Sequence, residues 1–273
     1  MSRKVWFITG TSRGFGREWA IAALERGDQV VATARKLDPL KDLADKYQGQ
    51  LLPLELDVTN KDAVTSAVDQ GYEHFGRLDV VINNAGYGLF GMVEEISEAQ
   101  ARAQLETNFF GALWVTQAAL PHLRAQKSGH IIQVSSIGGI TAFPMVGLYH
   151  ASKWALEGLS QALAQEVSSF GIHVTLIEPG GFATDWGGSS AAHADPLPAY
   201  EELKKQVAEQ RKTRWKPGDP LATRSAILKV VDAAKPPLRV FFGEAPLAMA
   251  KADYASRIAT WEEWNAVSRE AQG

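Results

Sequence analysis

The chain has 273 residues, room for one large α/β domain or two small ones, and its 45% hydrophobic content supports a sizeable core. A net charge of −3 offers no basic face to nucleic acid and no polybasic patch to a membrane. Cysteine is absent, which excludes a disulfide framework and thiolate chemistry and suits a reducing, cytoplasmic setting.

Residues 4–9, Lys-Val-Trp-Phe-Ile-Thr, read as a first strand that begins too early to leave room for a signal peptide. Gly10-Thr-Ser-Arg-Gly14-Phe-Gly16 follows, and then an amphipathic stretch over 17–26. That order is strand, glycine turn, helix. The glycines allow a tight turn and close approach to a pyrophosphate, and the helix N-terminus offers unpaired N–H groups. The G-x-x-x-G-x-G spacing differs from the common G-x-G-x-x-G fingerprint and from a P-loop. Gly10, Ser12, Arg13, Gly14, Phe15 and Gly16 are therefore candidate cofactor contacts, with a ligand-free corner as the plain alternative.

The second strand, Gln29–Ala34, leads into Arg35-Lys36, where a site for unphosphorylated ribose usually carries a carboxylate. Arg35 stands there instead, and Arg13 can converge from the glycine turn. Two planar guanidiniums suit a phosphate dianion, so NADP(H) is expected over NAD(H); two ordinary surface arginines are the alternative.

Strand-like runs recur at 50–56, 78–83, 130–134, 173–178 and 238–242. Between them lie amphipathic segments at 60–75 and 99–123, the latter opened by the capping-box pattern Ser97-x-x-Gln100. Asp219-Pro220 reads as an N-cap with proline at N1, opening a helix to 234. Seven short apolar strands with crossover helices predict a single α/β domain over 1–273, a doubly wound Rossmann-type fold with a seven-stranded parallel sheet and helices on both faces. Ligands then bind at the strands' carboxyl ends, where Gly10, Arg35, Asp57, the run Asn83-Asn84-Ala85-Gly86, Ser136 and Pro179-Gly180 all fall. Residues 128–152 carry no charge, but Gln133, Ser135, Ser136, Gly138, Gly139 and Pro144 interrupt them. They read as buried strand and loop, not as a membrane span.

Tyr149-His-Ala-Ser-Lys153 is the strongest chemical signal. A Tyr and a Lys four apart on a helix face the same way, one turn apart. A phenol with a pKa of about 10 shuttles protons poorly near neutrality. A neighbouring ammonium lowers that value, whereas burial alone raises it. A shift of ~3 units corresponds to roughly 4 kcal/mol, within reach of one desolvated cation plus a second positive charge. An oxidised nicotinamide would be the second charge. Another Tyr-x-x-x-Lys, Tyr200 to Lys204, sits in a charged stretch with Gly187 where the upstream serine should be, and reads as a solvated helix.

Together these residues resemble the short-chain dehydrogenase/reductase family, single-domain branch, across 4–185 and more loosely to 242. The matching motifs are Thr9-Gly-Thr-Ser-Arg-Gly-Phe-Gly16, Asp57-Val58, Asn83-Asn-Ala-Gly86, Asn108, Ser136, Tyr149-x-x-x-Lys153 and Pro179-Gly180 with Thr184. The wording is most similar to the 17β-hydroxysteroid dehydrogenase-like reductases, which is not a steroid assignment. The resemblance implies that Tyr149 is the general acid in reduction and the base in oxidation. Lys153 would lower its pKa and bond the nicotinamide ribose, and Ser136 would donate to the substrate carbonyl. Asn108 would sit at a helix irregularity and hold a water linking Lys153 to solvent. Asp57 would accept from the adenine amino group beside Val58, and Thr184 would bind the carboxamide. For Asn108 and Asp57, plain capping roles are the alternatives.

The predicted pocket draws on 87–90, 143–146 and 182–186, chiefly Leu89, Phe143, Met145, Phe182 and Trp186. These runs are apolar and aromatic, with core packing as the plain alternative for about half, so the substrate should be an uncharged, fairly hydrophobic ketone, aldehyde or matching secondary alcohol. Residues 185–218 read as a substrate lid ending in a short helix. The tail 245–273 places Tyr254, Ile258, Trp261 and Trp264 at helical spacing, to cap the pocket or enter a subunit interface. The resemblance implies a homodimer or homotetramer, and no metal site is expected. The main rival is a catalytically silent NADP(H)-sensing protein of the same fold. A methyltransferase is disfavoured because Ala34-Arg35 stands where an acidic residue is wanted.

Overall fold

The computed structural model describes residues 3–214 and 216–273, and the side chains of these outside 210–214. Positions 1, 2 and 215, which fall within the predicted domain and lid, lie outside the described residues. Strands β1 (Val5–Thr9), β2 (Gln29–Ala34), β3 (Leu51–Glu55) and β4 (Val80–Asn83) form in the expected places. A two-residue strand β5 (Leu89–Phe90) follows, then β6 (Gly129–Val134), β7 (Ile172–Pro179), a second short strand β8 (Ala192–His193) and β9 (Arg239–Phe242). The seven long strands make one parallel sheet in the order β3-β2-β1-β4-β6-β7-β9. The direction of winding reverses between β1 and β4, and that reversal opens a crevice at their carboxyl ends.

Parallel strands are covered on both faces, so their residues are mostly buried and largely apolar. In β1 every residue is buried, and its side chains alternate between two cores. Trp6 and Ile8 pack with Trp19, Leu24 and Ile227 against α1 (Gly14–Glu25) and α8 (Thr223–Asp232). Val5 and Phe7 pack on the other face with Val68, Val115 and Leu163, from α3 (Lys61–Phe75), α5 (Gly111–Gln126) and α6 (Gly147–Val167). Helix α2 (Lys41–Lys46) lies in the connection between β2 and β3.

Two predicted helices are divided. The stretch 99–123 is α4 (Glu98–Leu105), capped by the Ser97–Gln100 box, then a π-helical turn Glu106–Phe110, then α5. Asp219 caps a short 3-10 turn, Pro220–Ala222, before α8 begins. The lid segment contains α7 (Glu201–Arg214), fourteen residues instead of the short helix expected. Most of its described side chains are exposed, as expected of a solvated helix, but its N-terminal end is also tied down. The Glu95 carboxylate accepts from Met92 N (2.8 Å) and Leu197 N (2.7 Å) and pairs with Lys204. Tyr200 donates to Glu94 Oε2 at 2.6 Å, and β8 pairs with β5. The Lys204 hydrogen bond and the two backbone donors hold the Glu95 carboxyl down at about 2. Glu95→Gln should therefore speed amide exchange across 192–204 by about tenfold or more; unchanged exchange would show that the latch contributes nothing.

The tail forms α9 (Ala245–Glu263) and α10 (Asn265–Glu270). The start of α9 packs on the sheet end, with Pro246 against Gly180 and Ala250 beside Ile137 and Ile140. The aromatic stripe faces away from that contact: Tyr254, Ile258, Trp261 and Trp264 are each 46–62% exposed. Among the described residues no helix is long and apolar enough to cross a membrane.

Candidate active site

The glycine turn is shaped by close approach. Gly10 and Gly14 adopt left-handed φ angles of +69° and +60°, which favour glycine. A Cβ on Gly16 would lie 2.5 Å from both Gly10 O and Asn84 Nδ2. The Asn84 amide is spent on the turn itself, donating to Thr9 O (2.9 Å) and Gly10 O (3.0 Å). Arg13, the N-cap of α1, makes no side-chain cap, so the first-turn amides are left for a ligand. Gly16→Ala should displace the turn, weaken cofactor binding at least about tenfold and cost about 1–3 kcal/mol of stability. Calorimetric titration and thermal melting together check this.

A cleft of about 1190 Å³ runs from this turn across the carboxyl ends of the strands. Every predicted cofactor residue lines it except Gly16, which acts from behind the turn. Thr184 faces Gly14 across the gap; a Cβ there would stand 3.9 Å from Thr184 Cβ. Asp57 Oδ1 accepts from Thr59 N (3.0 Å) and Thr59 Oγ1 (2.8 Å), while the cap of α3 is Asn60. The plain capping role for Asp57 is thereby taken by another residue. A glycine cradle, a helix N-terminus, Arg35 and Asp57 in one elongated cleft fit a dinucleotide.

The two arginines are not equivalent. Arg35 lies exposed at the cleft, with no ion pair among the described residues. Arg13 Nη1 is bound to the segment after β7, 2.6 Å from Asp185 Oδ2 and 3.1 Å from Ser189 Oγ. Asp185 also accepts from the Ser189 and Ser190 hydroxyls, which with Arg13 hold its carboxyl down at about 2. Convergence of both guanidiniums on one phosphate thus requires Arg13 to share itself with Asp185.

Tyr149 and Lys153 stand one turn apart on α6, buried at 7% and 6% exposure. Ser136 ends the loop after β6 with its Oγ accepting from Gly138 N at 3.0 Å. Lys153 Nζ donates to Val134 O at 2.8 Å and lies 5.7 Å from the Tyr149 ring centroid. The protein's own groups do not acidify the phenol. Burial pushes Tyr149 up to about 12, only partly opposed by a hydrogen bond from Ser136. Burial also pulls Lys153 down to about 8, although the charge of Glu157 works against it. The expected lowering by Lys153 is thus not seen: Ser136 alone works against burial, and acidifying the phenol calls for a further positive charge beside it.

Asn108 sits in the π-helical turn, as expected of a helix irregularity, but it does not line the cleft. It is 1% exposed, and its amide is fully engaged behind Tyr87. Oδ1 accepts from Tyr87 N (3.0 Å), while Nδ2 donates to Tyr87 O (3.0 Å) and Ser152 Oγ (3.2 Å). Its side chain therefore braces the loop after β4 against α6, and Asn108 Oδ1 and Lys153 Nζ both stand over the bare face of Gly86, 3.0 and 3.7 Å from where a Cβ would lie.

Of the predicted substrate residues, Phe143, Met145, Phe182 and Trp186 line the cleft. Leu89 does not. It is 1% exposed, and its neighbour Phe90 faces the cleft, because successive residues of β5 point to opposite sides. Trp186 packs edge-on against both Tyr149 (4.9 Å) and Phe90 (5.2 Å), forming an apolar wall over the phenol. Met145 carries a left-handed φ of +70°, held by its carbonyl accepting from Gly91 N at 2.8 Å. That strain of about 1–2 kcal/mol sits four residues before Tyr149. Sequence reasoning missed Val207 and Met249 as cleft residues, and Asp185 and Glu95 as anchors of the lid.

Comparison with known proteins agrees with this geometry. A family model described as short chain dehydrogenase matches residues 4–195. The chain is 44% identical to the oxidoreductase BOA17 of Botryotinia fuckeliana, over 97% of this chain and 98% of that one. It is 38% identical to a 3-ketodihydrosphingosine reductase of Bacteroides thetaiotaomicron, covering 89% of each. The crystal structure of a short-chain dehydrogenase from Streptomyces avermitilis superposes with a TM-score of 0.93 at 38% identity, over 99% of this chain and 98% of that one. Sheet order, glycine turn and the Ser136–Tyr149–Lys153 grouping thus coincide with close kinship: the chain belongs to the short-chain dehydrogenase/reductase family of oxidoreductases.

Proposed function

We propose that the protein is an NADP(H)-dependent carbonyl reductase, equally a secondary alcohol dehydrogenase, acting on an uncharged, fairly hydrophobic ketone or aldehyde. The observation that carries the reading is the grouping of Ser136, Tyr149 and Lys153 at the carboxyl end of the sheet, beneath the wall of Phe90, Phe143 and Trp186. The name of the Bacteroides relative supports a ketone as the carbonyl. Arg35 supports a phosphorylated ribose.

The reduced nicotinamide supplies the hydride, and the protein supplies orientation and charge. Ser136 Oγ offers its proton to the carbonyl oxygen and stabilises the negative charge that develops there. Tyr149 gives its phenolic proton to that oxygen in reduction and takes it back in oxidation. Lys153 stays charged beside the phenol and favours the phenolate left behind. Trp186 and Phe90 exclude water from the phenol, strengthening each of these charges. The lid over 185–218 and the first turns of α9 close the apolar end, and the chain acts as one cofactor-binding domain.

The cysteine-free sequence supports a cytoplasmic setting, and the exposed stripe on α9 supports a homodimer or homotetramer. Stopped-flow mixing of the parent and Tyr149→Phe with NADPH and a panel of alicyclic and aromatic ketones, aldehydes and β-keto esters tests the reading. Rapid NADPH consumption by the parent alone supports it. Equal traces for the two would favour a catalytically silent NADP(H) sensor.

A further inference from the structure

Behind the loop that carries Ser136 lies a charge cluster that the reaction above does not use. Glu157 sits on α6 one turn beyond Lys153 and is 6% exposed. Glu178, the penultimate residue of β7, is fully buried. Arg239, at the start of β9, is the cation that reaches both. Its Nε donates to Glu157 Oε2 at 2.9 Å and lies 3.4 Å from Glu178 Oε1, an ion-pair contact without hydrogen-bond geometry. Its Nη2 is taken by Gln161 Oε1 at 2.9 Å.

The donors do not balance the acceptors. Glu157 Oε1, both oxygens of Glu178 and Ser135 Oγ are buried without a conventional hydrogen-bond partner. Ser135 Oγ and Glu157 Oε1 converge on the bare face of Gly139, 2.7 and 3.2 Å from where a Cβ would stand. Two full negative charges against one guanidinium would leave a buried carboxylate unpaired, which burial strongly disfavours. One added proton, with the Ser135 hydroxyl, supplies two donors and satisfies the group.

We propose that Glu157 and Glu178 share a single proton beneath the Ser135–Gly139 loop, and that the one negative charge left on the pair holds the adjoining Lys153 as an ammonium. Burial raises both carboxyls, Glu178 to about 8, where the charge of Glu157 adds to the effect. The charge of Glu157 in turn favours the Lys153 cation. The other charged and titratable groups nearby are turned elsewhere. His150 accepts from Phe143 N at 3.0 Å, and Asp253 and Arg257 pair with each other at 2.6 Å. Glu157 and Glu178 are positioning residues, acting on the reaction through Lys153; that consequence rests on the reductase reading.

The test uses the full chain with Glu157→Gln and Glu178→Gln. Infrared spectroscopy at neutral pH should show a neutral carboxylic acid carbonyl band in the parent. Either substitution should remove it, because Arg239 then neutralises the single carboxylate that remains. NMR of lysine-labelled protein should find Lys153 titrating about one pH unit lower in Glu157→Gln and unshifted in Glu178→Gln. A parent without the band, or a Lys153 titration indifferent to Glu157→Gln, overturns the proposal. Should Glu157→Gln not fold, Glu178→Gln carries the test alone: the band must vanish with Lys153 unshifted, and any other pair of results overturns it. Neither readout needs a substrate. An inactive parent with both results intact would refute the reductase reading and leave the acid pair standing.

Discussion

Tyr149→Phe should lower kcat by about a thousandfold while leaving NADPH affinity and the melting temperature close to those of the parent. Positioned general acid–base groups contribute about 10²–10⁴-fold, and this phenol is an acid hydrogen-bonded to Ser136 in the cleft. The ring is buried against Trp186, Phe90 and Val146, and a phenylalanine keeps those contacts. Among the described residues the hydroxyl interacts by hydrogen bond with Ser136 alone, so its loss leaves little unsatisfied. Stability and activity are therefore separable at this position. A variant that retains a tenth or more of parental turnover would mean that the proton comes from elsewhere.

Arg35→Asp should weaken NADPH binding about a hundredfold and reverse the preference toward NADH. The substitution removes one charge-assisted bond to a phosphate, worth about 1.5–3 kcal/mol, and sets a carboxylate against a dianion. The same carboxylate is placed to accept from a free ribose 2′-hydroxyl, which helps NADH. Arg35 should matter more than Arg13, because Asp185 competes for the Arg13 guanidinium at 2.6 Å. Asp185→Asn should accordingly strengthen NADPH binding several-fold, since a neutral amide holds Arg13 less firmly. Michaelis constants for the two cofactors, measured across these variants, decide the matter. Comparable values in the parent, or an unchanged preference in Arg35→Asp, would contradict the assignment.

The sheet was legible because a strand covered on both faces leaves a short, nearly continuous apolar run, and Val5–Thr9 reads as little else. The landmarks at strand ends were legible because glycine, asparagine and arginine interrupt those runs. Strands β5 and β8 have two residues each, too few to show alternation, and so nothing in the sequence separates Leu89 from its cleft-facing neighbour Phe90. Glu95 hides among Glu94, Glu98 and other ordinary surface charges, and its burial follows only from where Leu197 and Lys204 return. Asp185 reaches Arg13 across a separation of 172 positions, and no local pattern announces it. The left-handed Met145 contradicts its own propensity, because Gly91 fixes its carbonyl from outside. Asn108 was placed correctly at an irregular turn, yet its amide is consumed by Tyr87 and Ser152. The phenol's basicity was illegible for another reason: burial and charge oppose each other, and only the folded geometry says which prevails.

That opposition also defines the deciding measurement. Ultraviolet difference titration of the parent against Tyr149→Phe reports the ionisation of this one phenol, with and without saturating NADP⁺. The protein alone should show no Tyr149 ionisation until pH approaches about 12. With the oxidised cofactor bound, a single ionisation should emerge several units lower, toward neutrality. An ionisation that stays in place when the cofactor binds would contradict a mechanism built on two cations, however well the cleft fits its nucleotide.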